Sequence, residues 1–415
     1  MKLHALAIGG LLACASPAQA IKIEIRYDYD TNGFFNQPGS KEALRKVADY
    51  FETLIHDQLL SINPATDGGG TWSANFPNPG GSNTITLSNL VVPANTLIVF
   101  AGGKSIPGST IGQGGYGGYG WSGTQTWGNR VAGRGQAGAL ATPKTDFAPW
   151  GGFITFDTDV SNWNFSTDFP GSGTMPFVPI ALHELGHLLG IGTAGSWDAK
   201  ISGGLFTGTS AVQSYGASVP LDASGDHWRD DGACVGPDGH NPANPLNVLS
   251  KAYGSFNAAH GYAQIAIMDP SFCNAGAFFK VFTDLDIAGL RDVGWQVDPP
   301  ARFLTAQYLP SQPFSFSWPS TTGTTYRLQT STSLDTGWSS VSTQAGDGTV
   351  QSFSPSLATS GRRFFRLNTN PLPPAPAPAM AAAAIAPADE EPAAPTFAPP
   401  SQPCECYSGL SHDCP

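Results

Sequence analysis

The most constraining feature of this 415-residue chain is one apolar segment that carries three ionisable side chains. Residues 178–189 are apolar or glycine except for His183, Glu184 and His187. This composition and length predict a helix that ends at Gly190, a residue suited to a left-handed cap. Because such a helix must be buried, its two imidazoles and its carboxylate require partners in the protein interior.

The spacing of these three residues predicts a metal site. Residues four apart on a helix lie one above the other, about 6 Å along the axis, so His183 and His187 share a face. Two imidazoles placed in this way can bind one zinc ion, with Zn–N bonds of roughly 2.0–2.1 Å. Glu184 would then reach a water molecule on the metal and act as a general base. The alternative is a helix with two unremarkable histidines.

A catalytic zinc ion needs a third protein ligand. The sequence has no glutamate between Glu184 and Glu390, which excludes a glutamate ligand from the helix that follows. The remaining candidates are His227, His240 and His260, with the carboxylates of Asp198 and Asp222 as further alternatives.

The order of several motifs resembles the metzincin zinc peptidases. Residues 183–190 form the pattern HExxHxxG, but Thr193 stands where most metzincins have their third histidine. The leishmanolysin-like subgroup inserts a long segment there, and Asp226–Arg229 is similar to its downstream His-Trp site. Ile267–Pro270 resembles the Met-turn of these enzymes, and Phe282–Trp295 resembles the helix that follows it.

This resemblance covers residues 21–298 and implies an α+β metzincin-like domain. It would contain a twisted mixed sheet with helices and a loop-rich lower half. The implied activity is hydrolysis of peptide bonds in a protein or peptide substrate, with one catalytic Zn²⁺. The implied site consists of three metal ligands and a general base, namely His183, His187, His227 and Glu184.

A strand is predicted at Gly152–Asp157, just before the metal-site helix. The resemblance implies that it is the edge strand along which a substrate peptide lies, and an ordinary inner strand is the equal alternative. Asp157 and Asp159 are candidate calcium ligands, on the weak evidence of two neighbouring acids.

Other elements follow from local patterns. Alternation of apolar and polar residues predicts a strand over Ile21–Tyr29, and apolar residues at helical spacing predict a helix from Ser40 to about Leu59. Residues 102–138 are rich in glycine and aromatic residues and are interpreted as a long surface loop. Further elements are predicted as strands at 84–90 and 96–100 and as a short helix capped by Thr283 or Asp284 and ending at Gly294.

The N-terminus predicts export. Residues 1–20 have a basic start, an apolar stretch and a small-residue cleavage site, as in a secretory signal peptide. A lipoprotein signal ending at Cys14 is the alternative. Export would permit disulfides, and Cys234–Cys273 is the candidate pair. No other run is long enough to span a bilayer, and a net charge of −11 argues against nucleic acid as a partner.

The C-terminal part differs in composition. Residues 301–368 are rich in Ser and Thr and contain short alternating strands, which predicts a small β-sandwich module. Residues 369–415 form a Pro/Ala-rich linker and a tail that contains cysteines. We expect this part to position the enzyme or tether it to the cell surface.

Two other functions remain open at this level. The chain could be a surface adhesin that keeps the fold without catalysis, or an HExxH enzyme that hydrolyses a non-peptide amide. The intact Glu184 argues against the adhesin.

Overall fold

The computed structural model describes residues 21–166, 173–229, 266–272 and 282–297, six short stretches between 305 and 371, and residues 404–408. These residues form two compact units. The first holds the described residues up to 297 together with 404–408, and the second holds those between 305 and 371. The fold is mixed α+β. The signal-peptide region and the predicted disulfide cysteines lie outside the described residues.

The first unit contains six α-helices among its described residues. They are α1 (Ser40–Leu54), α2 (Gln125–Gly133), α3 (Phe177–Leu188), α4 (Gly195–Asp198), α5 (Thr209–Tyr215) and α6 (Asp284–Val293). Short 3₁₀ helices span Phe34–Asn36 and Ala137–Leu140. None of the helices in the described residues combines the length and apolar character needed to cross a bilayer.

The strands of the first unit are numbered in chain order. They are β1 (Lys22–Arg26), β2 (Thr71–Pro77), β3 (Thr84–Ser88), β4 (Thr96–Lys104), β5 (Thr110–Tyr116), β6 (Gly118–Ser122), β7 (Gly151–Asp157), β8 (Trp163–Asn164), β9 (Met175–Pro176), β10 (Ile201–Ser202), β11 (Leu205–Phe206), β12 (Val219–Pro220), β13 (Ser271–Phe272) and, near the C-terminus, β20 (Cys404–Ser408).

The main sheet has the strand order β1-β4-β7-β5-β20-β13. Strands β1, β4 and β7 are parallel, and β5 is antiparallel to β7. All seven residues of β7 are buried between β4 and β5. Of the two alternatives left open by the sequence, the structure shows an inner strand, and the strand beyond it, β5, lies nearer the edge.

Two apolar clusters cover the two faces of this sheet. Along β4, Leu97 and Val99 belong to the cluster that packs under α1 and α3, whereas Ile98 and Phe100 belong to the other. Alternate residues of a strand face opposite ways, so a strand covered on both faces is apolar throughout. The small sheet β3-β2-β6 contributes to the second cluster.

The glycine-rich segment 102–138 is not a surface loop as predicted, because it contains β5, β6 and α2. Its glycines serve close packing. A Cβ on Gly114 would stand 2.3 Å from the Glu184 carbonyl oxygen, and one on Gly117 would stand 1.9 Å from the Trp150 ring. The high glycine content suggested loops, but the glycines allow the backbone of β5 to lie close to α3.

Helix boundaries follow the sequence closely in two of three cases. Helix α3 begins and ends within one residue of its prediction. Thr283 caps α6 with a capping box, and Gly294 ends it. Helix α1 ends at Leu54, earlier than predicted, because Ile55 turns into a β-bridge with Val297.

The second unit is built only of strands in its described residues. They are β14 (Thr305–Gln307), β15 (Ser315–Pro319), β16 (Thr324–Ser331), β17 (Ser339–Ala345), β18 (Val350–Phe353) and β19 (Phe364–Pro371). They form two three-stranded antiparallel sheets, β14-β15-β18 and β17-β16-β19. One apolar cluster takes residues from both sheets, including Trp318 from β15 and Tyr326 from β16.

Candidate metal centre

Three histidine side chains meet in the interior of the first unit. The Nε2 atoms of His183 and His187 are 2.9 Å apart, and the Nε2 atoms of His187 and His227 are 3.1 Å apart. All three rings are buried. Among the residues that the structure describes, this is the one group of His, Cys, Asp or Glu with three ligand atoms within 4.8 Å of one another.

The spacing of these nitrogens matches the requirements of a small cation. Tetrahedral ligands at 2.0–2.1 Å from a zinc ion stand about 3.3 Å from one another. The observed separations of 2.9 and 3.1 Å are slightly shorter than that value. These distances and the grouping of all three side chains mean that the three imidazoles could hold one metal ion.

The other ring nitrogen of each histidine has an oxygen partner. The Nδ1 atom of His183 lies 2.8 Å from the Ile267 carbonyl, and that of His187 lies 2.8 Å from the Ile191 carbonyl. A carbonyl oxygen can only accept a hydrogen bond, so the ring proton of each histidine belongs on Nδ1. The Nε2 lone pairs then converge, and a cation between them satisfies them together.

His227 is held by a carboxylate instead. Its Nδ1 atom lies 3.0 Å from Oδ2 of Asp222, whose other oxygen accepts the Gly225 amide at 2.8 Å. Burial would raise the pKa of Asp222, but its hydrogen bonds with His227, Ser224 and Gly225 lower it below its usual value. Asp222, considered from sequence as a rival ligand, thus orients the ring of His227.

Burial, with a smaller contribution from the neighbouring His227, lowers the pKa of His187 well below its usual value. The imidazole is therefore neutral at physiological pH, and a neutral ring is the form that binds a metal.

Helix α3 supplies two histidines and a carboxylate to the interior, since the helix is buried on every side. All twelve of its residues are buried. Glu184 lies under β5, where a Cβ on Gly112 would stand 2.5 Å from its Oε1 atom. A side chain at position 112 would therefore have to displace the Glu184 carboxylate.

The segment 266–270, whose sequence resembles a Met-turn, lies directly beneath α3. A Cβ on Gly186, which is between the two histidines, would stand 2.5 Å from the sulfur of Met268. Met268 itself is fully buried. A glycine in this turn of α3 therefore allows the methionine to pack against the backbone between the two histidines.

Sequence reasoning missed Asp286, which joins the separate parts of the site. Its Oδ1 accepts hydrogen bonds from Trp228 Nε1 at 3.0 Å and the Met268 amide at 3.2 Å. Its Oδ2 accepts the Ile267 amide at 2.9 Å and both the amide and hydroxyl of Thr283 at 2.7 and 2.6 Å. The sequence signal was the Thr-x-x-Asp capping box.

Among the remaining sequence candidates that the structure describes, Asp198 and Asp157 are not part of this group. Asp198 is exposed at the end of α4, while His240 and His260 lie outside the described residues. Asp157 accepts the backbone amides of Ile106 and Asp159 at 3.1 and 3.0 Å. These bonds explain its burial without calcium, which stays a prediction.

Comparisons with known proteins identify no relative of this chain. No protein-family model, no curated protein and no solved structure matches the chain. The chemistry of the histidine group and its surroundings therefore carries the functional assignment.

Proposed function

We propose that the protein is a zinc-dependent endopeptidase of metzincin type, with the leishmanolysin-like arrangement of a distant third histidine. The observation that carries the proposal is the convergence of three buried Nε2 atoms whose Nδ1 partners are all oxygen acceptors. The chemistry of this donor set fits zinc, since three imidazoles leave a fourth position open for water or substrate. A bound zinc ion would supply Lewis acidity, polarising a carbonyl group and acidifying water.

The protein's own groups have defined roles in this proposal. His183, His187 and His227 hold the metal, and their oxygen partners fix the ring orientations. Glu184 takes the proton from the attacking water and passes it to the departing amine. Its burial between the rest of α3 and strand β5 keeps bulk water away from that carboxylate.

The two units would have separate roles in an exported enzyme. We propose that the first unit is the catalytic domain and that the second is the small β-sandwich that positions or tethers it. The export signal, the Cys234–Cys273 bridge and a structural calcium ion remain predictions from the sequence.

The direct test is hydrolysis of casein by the purified chain with and without o-phenanthroline. Loss of hydrolysis on chelation, and its return with added zinc, is the expected result. Hydrolysis that survives chelation would refute the metal mechanism. Cleavage of small amides without cleavage of casein would favour the non-peptide hydrolase.

A substitution separates an enzyme from an adhesin. Glu184→Gln should lower kcat by about 10²–10⁴-fold while bound zinc remains, because only the proton transfer is removed. Glu42→Gln is the matched control, since Glu42 is an exposed acid in the first turn of α1. It should change neither kcat nor the zinc content. Equal activity in both variants would remove Glu184 from the mechanism.

Zinc stoichiometry tests the ligand set. His227→Ala should lose tightly bound zinc, whereas His240→Ala and His260→Ala should retain one ion per chain. The reverse pattern would transfer the third-ligand role to another histidine.

A further inference from the structure

We infer that the C-terminal segment Cys404–Ser408 occupies the peptide-binding edge of β5 and inhibits the enzyme from within the same chain. This inference rests on the proposed peptidase function, and it names both the groove and its resident occupant.

Strand β20 pairs with a strand on each side. Strand β20 runs antiparallel to β5, with Cys404 opposite Gly114, Glu405 opposite Gln113 and Cys406 opposite Gly112. On its other side it pairs in parallel with β13, which directly follows the Met-turn region. Within the main sheet, the tail therefore joins β5 to the strand that follows the segment supporting the histidine group.

The register places this strand over the catalytic helix. Gly112 and Gly114 are the β5 residues whose Cβ atoms would meet Oε1 and the carbonyl oxygen of Glu184. Their partners are Cys406 and Cys404. The tail thus pairs with the part of β5 that lies against the general base.

A second strand cannot pair with the same edge. Adjacent strands stand about 4.7–4.9 Å apart, and one paired strand occupies all the N–H and C=O groups that point to that side. An extended substrate peptide would bind beside Glu184 by adding to β5 through those same groups. Since β5 already lies between β7 and β20, substrate and tail exclude each other.

The linker of residues 372–403 keeps β20 attached to the enzyme, which raises the local concentration of β20 at β5 and leaves its binding reversible. Between the end of β19 at Pro371 and the start of β20 at Cys404 the chain is rich in proline and alanine. An extended chain of this length reaches about 100 Å, so the linker does not restrict docking. A tethered segment competes at an effective concentration on the order of 1 mM. A tail whose untethered Kd is about 100 µM would then inhibit about tenfold.

The experiment compares three purified chains in reducing buffer: the full chain, a chain ending at Pro403, and a control chain ending at Ser408. Amide hydrogen exchange of β5 is measured first without zinc, so that it does not depend on activity. We expect residues 110–116 to be protected in the full chain and in the control. In the chain ending at Pro403 the β5 amides that pair with β20 should exchange at least tenfold faster, while the β5 amides that pair with β7 and the amides of β4 stay protected in all three.

Casein hydrolysis with zinc is the second readout. The chain ending at Pro403 should be about tenfold faster than the other two, and a synthetic peptide of residues 402–410 should slow it again. A point variant keeps the full length. Tyr407→Pro should act like the truncation, because Tyr407 pairs with strands on both sides, whereas Ser411→Pro beyond the strand should not.

The outcomes separate this inference from the proposed function. Equal exchange of β5 in all three chains would overturn the tail assignment, even if casein is hydrolysed. A difference in exchange without hydrolysis by any chain would keep the strand pairing and refute the peptidase. Cleavage between residues 404 and 408 by the full chain itself would make the tail a substrate and overturn its role as an inhibitor.

Discussion

Replacing Asp286 with asparagine tests the idea that one buried carboxylate joins the parts of the metal centre. The side chain is fully buried, and five hydrogen bonds from four residues end on its two oxygens. Asparagine has nearly the same shape but only one acceptor oxygen. The NH₂ group of the asparagine would replace an oxygen that accepts at least two hydrogen bonds, and those donors would lose their acceptor.

The size of the effect follows from the bonds lost. In the less damaging orientation, the amide replaces Oδ1, and the bonds from Trp228 Nε1 and the Met268 amide are lost. Hydrogen bonds to charged groups contribute about 1.5–3 kcal/mol each, so we expect a loss of about 3–6 kcal/mol of unfolding free energy. For a domain of this size that corresponds to a fall in Tm of about 10 °C.

The assay is thermal unfolding of the full chain, followed by circular dichroism, with Asp284→Asn as the control. Asp284 lies in the same first turn of α6, where its charge favours the helix dipole by about 0.3–1 kcal/mol. Its replacement should lower Tm by only about 1–4 °C. Equal losses in the two variants would show that Asp286 acts as a helix-end charge and does not join the site.

Three further outcomes are expected. Burial raises the pKa of Asp57 to about 7, above its unfolded value, so its carboxyl group costs up to about 4 kcal/mol of stability as the pH rises from 4 through 7. Asp57→Asn should therefore raise Tm at pH 8 and leave it unchanged at pH 4; equal shifts at both pH values would contradict this. Asp222→Asn should weaken zinc binding about 10–100-fold in a chelator competition, because the acceptor that orients His227 is altered. Asp226→Asn, which removes a nearby charge without that hydrogen bond, should weaken it less than threefold, and equal losses would argue for charge alone. Gly112→Ala should lower casein hydrolysis at least tenfold with zinc content unchanged, since the added methyl group displaces the carboxylate beneath it; full activity would place that carboxylate elsewhere.

The local pattern of the sequence determined the helix at the centre of the site. An apolar run with His183 and His187 four residues apart was enough to predict α3 and the shared face of its histidines. The same holds for β1, whose alternation was visible, and for Thr283 and Gly294 at the ends of α6. These features depend on neighbours within a few residues, so a linear pattern contains them.

Only the tertiary structure decided what surrounds that helix. His227 is 40 residues from His187, and the Ile267 carbonyl is 84 residues from His183, so no periodicity brings them together. His227 could be selected from sequence only through a resemblance, and Asp286 was not selected at all. Similarly, β5 was predicted as part of a loop because it is rich in glycine, and those glycines are needed for contact with a helix distant in the sequence. Local periodicity fixes an element's type, whereas side-chain convergence and edge position arise from packing between elements far apart in the chain.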